Sequence, residues 1–290
     1  MMSKRITLII LLLLVTTPDV PAYAGAWTQK RGAFFYKLGV LRFESTSQYL
    51  LNGERESLSN KGRVIDLSVY HYLEYGLSDE LTVIASVPFK KVSFDCAIEE
   101  CDKSSSGLAD LFLGFRYRLS NRRWIVSIES GLKLAPGYET DEDKLDSAPP
   151  LGDGQTDFDL RLLLGHPLFN YRGYLNIDAG FRTRSGDPVD ELPFSLELGL
   201  NLTDDYLLIG RLHGVRSISE DAGQKNFRIV NGTIQNFIGT GAVEDFVKGQ
   251  LQLIYKLSAT ISLAFELDQV LTGRNTSHAT TVGAGLVIAK

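Results

Sequence analysis

Cysteine and histidine are nearly missing from this chain: Cys96, Cys101 and four histidines are all it has. A metal centre needs several ligands brought together, and His71, His166, His213 and His278 are scattered one to a segment. No metal ion or other cofactor is therefore expected. The same scatter leaves no Ser/His constellation of the kind that nucleophilic catalysis uses, so no catalytic residues are assigned and an enzyme is not expected. An excess of positive charge is also lacking. Lys and Arg number 30 against 35 Asp and Glu, a formal net charge of −5. With no basic arm or stripe, nucleic acid is excluded as a partner.

Long apolar runs are the third absence. The longest, Ile6 to Val15, follows Lys4 and Arg5 and precedes Ala22-Tyr23-Ala24. A short basic region, an apolar core and small residues two apart form the pattern of a secretory signal peptide. The run falls short of the ~20 residues a helix needs to cross a bilayer. The expected organisation is a cleaved signal peptide over 1–24 and one further domain over 25–290. In an exported chain, an even pair of cysteines with four residues between them reads as a loop disulfide, Cys96 to Cys101.

What is present is alternation. Phe158, Leu160, Leu162 and Leu164 oppose Asp157, Asp159 and Arg161, and Phe194, Leu196, Leu198 and Leu200 oppose Ser195, Glu197, Gly199 and Asn201. Val126, Ile128, Leu132 and Leu134 oppose Ser127, Glu129, Gly131 and Lys133. Strict period-two patterning marks strands with unlike faces. The patterned stretches run to about ten residues, the length of a tilted strand that crosses a bilayer, whereas sandwich strands are nearer five or six. Between them, long polar stretches such as Ser45–Lys61, Tyr138–Gln155 and Ser219–Val243 alternate with tight turns such as Ser78–Glu80, Phe169–Arg172 and Thr203–Asp205. Long loops at one end and short turns at the other distinguish outer-membrane barrels. The fold expected is an all-β, closed, antiparallel up-and-down transmembrane barrel of about twelve strands, placed in the outer membrane of a Gram-negative cell. Tyr75, Tyr117, Trp124, Tyr206 and Tyr255, each beside a short turn, would form an aromatic girdle at one interface.

If the apolar face meets lipid, the other face lines a lumen. The candidates are Lys37, Asp66, Asp110, Arg116, Glu129, Lys133, Asp159, Arg161, Asp178, Arg182, Glu197, Lys248 and Glu266. Both signs are interspersed, which disfavours a strongly cation- or anion-selective pore. Such side chains serve equally to line a solute path or to tie a narrow barrel together. The stretch Tyr206–Arg216 is ambiguous, because Arg211 and His213 share a face with Leu207 and Ile209.

Three stretches carry a resemblance to a known family. They are Ala26-Trp27-Thr28-Gln29-Lys30-Arg31-Gly32-Ala33-Phe34-Phe35-Tyr36-Lys37-Leu38, then Tyr75-Gly76-Leu77-Ser78-Asp79-Glu80-Leu81-Thr82-Val83, and then Gly107 to Leu119. On them the chain resembles the outer-membrane proteins associated with the meta-cleavage pathway of phenol degradation, including the XagA-like proteins. The resemblance implies a barrel that passes small, aromatic or apolar molecules. The leading expectation is thus a passive channel whose partners are outer-membrane lipid, small solutes and, during insertion, the outer-membrane assembly machinery. A structural or surface-interaction barrel with a blocked lumen is the rival, and an outer-membrane lipid hydrolase is third.

Overall fold

The computed structural model describes residues 25–97, 102–140, 148–186, 189–218, 228–230, 233–235 and 243–290. The expected signal peptide and Cys101 lie outside the described residues. Cys96 is described and is not a free thiol.

Twelve long strands form the wall: β1 (Phe34–Tyr49), β3 (Arg63–Gly76), β4 (Leu81–Asp95), β6 (Leu111–Asn121), β7 (Ile125–Leu134), β8 (Asp157–Leu168), β9 (Gly173–Arg184), β10 (Glu191–Asn201), β11 (Tyr206–Ser217), β14 (Asp245–Lys256), β15 (Ile261–Arg274) and β16 (Thr276–Ala289). Two short strands, β2 (Arg55–Ser57) and β5 (Lys103–Leu108), add to β1 and β4. The remaining pair, β12 (Arg228–Val230) and β13 (Thr233–Gln235), forms a separate hairpin. Each wall strand pairs antiparallel with the next, and the sheet closes on itself where β1 meets β16, from Phe35↔Ala289 to Tyr49↔Thr276. Closure leaves no open edge, so wall backbone groups find partners without water.

The alternation becomes two surfaces. On β6 the outward positions Leu113, Phe115, Tyr117 and Leu119 are each more than half exposed, as is Leu251 on β14, and Phe265 on β15 is about half exposed. So broad an apolar surface would be untenable in water and is the expected face toward acyl chains. Tyr75, Tyr117, Trp124 and Tyr206 are exposed beside the short turns. There Tyr206 stacks on Tyr255 at 4.8 Å, and Trp124 stacks on His166 at 4.6 Å.

The long-loop end extends further than the alternation alone suggests. β1 continues to Tyr49, well into the expected Ser45–Lys61 loop, and Asn275 alone separates β15 from β16. Polar strand ends project beyond an apolar band without an apolar/polar signature, which is why they read as loop. The Gly107–Leu119 stretch is likewise divided, with Ala109 and Asp110 between β5 and β6. There Asp110 accepts a hydrogen bond from the Tyr138 hydroxyl, and Ala109 is buried.

Candidate functional site: a lumen closed by its own chain

The inward side chains form bands of ion pairs. Lys37 bonds Glu266 at 2.9 Å, and Lys90 bonds Asp66 at 3.0 Å. Arg116 bridges Glu74 (3.0 Å) and Glu129 (2.8 Å). Arg161 reaches Asp159 and Asp178, Arg182 reaches Asp159 and Glu191, and Arg211 holds Glu197. Lys133 contacts Asp110, Asp153 and Asp157. Every ion pair between wall strands among the described residues joins strands that are adjacent or next but one. These pairs run around the wall. They do not cross the lumen.

What crosses it is peptide. Residues 25–32 enter the barrel from the short-turn end and traverse the mouth. The Ala26 amide donates to Asn176 on β9 (3.2 Å), and the Ala26 carbonyl accepts from Ser127 on β7 (2.5 Å). Arg116 donates to the Trp27 carbonyl and Arg118 to the Thr28 hydroxyl. On the far side, the Gln29 amide donates to Thr82 (2.8 Å) and its side chain to Glu74 (2.9 Å). Two wall glycines make room. A Cβ on Gly76 would lie 2.1 Å from the Lys30 carbonyl oxygen, and one on Gly165 would lie 2.7 Å from the Trp27 ring.

Apolar packing completes this closure. Trp27 meets Tyr174 edge-on at 5.7 Å, within a cluster of Phe35, Leu207, Ile209, Ile254, Ala264 and Val287. Leu207 and Ile209 therefore face inward with Arg211 and His213, which resolves the ambiguous strand. Around Leu207, Ile254, Ala264 and Val287, on β11 and β14–β16, the lumen is apolar near the short turns, whereas Glu74, Arg116 and Arg118 keep the β3–β6 side of the same mouth charged.

At the other end, segment 148–156 folds over the opening. Pro149 is fully buried, and Leu151 joins a cluster with Leu58, Val64, Val92, Phe94 and Ala109. Asp153 is held by Lys133 and Arg184, each at 2.7 Å, and the Gly154 amide donates to Tyr138. Burial, and then the bond to Asp110, hold the Tyr138 phenol above its ordinary range, so it keeps its proton and stays a donor.

Two cavities lie between these closures among the described residues. An outer one of about 330 Å³ is lined by Phe43, Asp66, Lys90, Leu151, Glu244 and Lys248 among others. An inner one of about 320 Å³ is lined by Arg161, Arg182, Glu197, Arg211, His213 and Phe246 among others. Glu244, just before β14, is pushed up to about 7 by burial, partly offset by the hydrogen bond from Thr276. A carboxyl raised in the folded state adds stability below its unfolded pKa, and that contribution is lost as pH rises through the folded value. The outer cavity therefore gains a negative charge across pH 6–8. We expect the unfolding midpoint in urea to fall between pH 5 and pH 8 by an amount that Glu244→Gln abolishes.

Sequence reasoning missed Trp27, Ser127, Tyr174 and Asn176 as parts of the site. The signal open to it was apolar residues at inward positions beside the short turns. Among the described residues no group of three or more His, Cys, Asp or Glu side chains is arranged to hold a metal.

No protein-family model matches the chain, and no curated protein matches it in sequence. Solved structures do. An outer membrane channel from Pseudomonas putida F1 superimposes with a TM-score of 0.69 at 17% identity, over 91% of this chain and 98% of that one. The NanC porin gives a TM-score of 0.49 at 11% identity, over 87% of this chain and 99% of that one. The CymD monoaromatic hydrocarbon channel gives 0.43 at 10% identity, over 89% and 88%. At these identities the first likeness establishes the shared fold.

Proposed function

We propose that this chain is a passive outer-membrane channel for small molecules, held shut at its periplasmic mouth by residues 25–32. One observation carries the reading: the wall's ion pairs run circumferentially, and the closures are peptide segments laid across the openings. A barrel built to be solid would fill its centre with side chains tied across it. Here two cavities of about 320 and 330 Å³ lie inside the wall, within the range from roughly 300 Å³ in which small ligands are held. The Pseudomonas putida barrel of the same fold is described as an outer membrane channel, and the role extends naturally to this one. The short turns then face the periplasm and the long loops the exterior.

The test is single-channel recording in planar bilayers, using the full mature chain and a form lacking residues 25–32. Discrete current steps that increase on truncation are expected. Silence from both forms, with no uptake defect in cells lacking the protein, would overturn the reading. That outcome would favour the rival, a structural barrel, to which the two closed ends also point.

A further inference from the structure

We propose that the lumen around the His213–Lys248 cross-strand pair is a binding site for a small organic monocarboxylate, its charged end on β11 and β14 and its apolar body in the inner cavity. The ligand's route to this site rests on the channel reading. The site itself rests on the hydrogen-bonding capacity that the lumen leaves unused.

The carboxylates beside the inner cavity are already engaged. Glu197 takes Arg211 on one oxygen and Asn176 on the other. Asp178 takes Arg161 on one oxygen and Ser195 on the other. Glu129 takes two nitrogens of Arg116. A guanidinium carries five N–H donors on three nitrogens, and Arg211 commits two of those nitrogens to Glu197. Arg161 likewise commits Nε to Asp159 and Nη1 to Asp178. Among the residues that line the inner cavity the surplus is thus on the donor side, which suits an anion.

Lys248 strengthens that bias. It makes no ion pair among the described residues, and its ammonium rests 4.4 Å from the centre of the Phe246 ring. Register places it directly across from His213, with Arg211 two positions along the same inner face. Cross-strand partners bring their Cβ atoms within about 5.5 Å, so Arg211, His213 and Lys248 form one short row. His213 Nε2 lies 3.6 Å from Asp268, while its Nδ1 is buried without a partner. That nitrogen donates or accepts according to tautomer, and either role can be met by a carboxyl group or a neighbouring hydroxyl.

The apolar half of the site is equally specific. Phe246, Val215, Leu163 and Pro193 line the inner cavity, and they match a flat or short hydrocarbon body. A fully polar solute would leave these surfaces unused. A neutral hydrocarbon would leave the donors unanswered, at the cost that attaches to buried polar groups without partners. A molecule with one carboxylate and one compact apolar body satisfies both.

The experiment is calorimetric titration of the purified full mature chain in detergent micelles with sodium benzoate and, separately, with benzyl alcohol. Benzoate is expected to bind about tenfold or more tightly than the alcohol, as a charge-assisted hydrogen bond warrants. Lys248→Gln, which breaks no ion pair among the described residues, is expected to erase about that same factor, and Lys248→Arg to retain it. Equal binding of acid and alcohol, no binding of benzoate, or an unchanged Lys248→Gln would each overturn the proposal. Bilayer recordings separate this from the channel reading. Benzoate binding by a protein that never conducts would sink the channel and leave the site standing.

Discussion

Replacing Trp27 with alanine is expected to convert a mostly closed barrel into a mostly conducting one. The segment from residue 25 to residue 32 is anchored by two kinds of contact. Its hydrogen bonds go to polar wall groups: Asn176, Ser127, Arg116, Arg118, Thr82 and Glu74. Water can replace each of these when the segment leaves, so their net contribution is modest. The Trp27 ring has no such substitute. It packs on Tyr174 and against the cluster containing Phe35, Leu207 and Ile254. Trp27 is half-buried, so its truncation to alanine takes the lower end, ~3 kcal/mol, of what removing a core aromatic costs. If the open and closed states differ by the seating of this segment, the open-to-closed ratio rises by about a hundredfold. The fraction of time spent open in planar bilayers measures it directly. The wall contains none of these atoms, so the urea midpoint should move far less than the gating. An unchanged open fraction would mean that the segment does not govern conduction.

How much of this was legible beforehand differs between wall and lumen. The wall was legible because lipid imposes one rule on every strand. Phe115 and Leu251 must face acyl chains whatever the barrel does, so alternation recurs and can be counted. Inside, no such rule holds. Leu207 and Ile209 share a face with Arg211 and His213 because that face is apolar near the short turns and charged above them. A period-two pattern reports that two faces differ, and it is blind to a face that changes character along its length. Residues 25–32 posed a harder problem. Ala26 contacts Asn176, which is 150 positions away, and a segment held by such distant partners needs no periodicity of its own. The inward fold of Leu151 and Asp153 is of the same kind. Only the resemblance singled out Ala26 to Gln29, and it did so without a physical reason. The glycines at 76 and 165 supply that reason, since they clear the path this segment takes.

Arg116→Gln is expected to be among the most destabilising single substitutions in the wall. The side chain is 3% exposed, and it lies between Glu74, which is fully buried, and Glu129. Glu74 also accepts from Tyr72 (2.7 Å) and from Gln29 (2.9 Å), so it has neutral donors but, among the described residues, only one cationic partner. Removing the guanidinium strands a buried carboxylate, and breaking a buried pair from one side costs about 3–5 kcal/mol. The pair as a whole is a different matter, because its Coulombic gain largely offsets the desolvation of both charges. The double substitution Arg116→Gln with Glu74→Gln should therefore recover most of the loss, and urea titration of the folded barrel in micelles gives both values. The single variant should also leak current, because Arg116 holds the Trp27 carbonyl at 3.0 Å and its ion-pair partner Glu74 holds the Gln29 side chain at 2.9 Å. One ion pair thus braces the wall and seats the closing segment. Loss of stability with gating unchanged would separate those two roles and confine Arg116 to the wall.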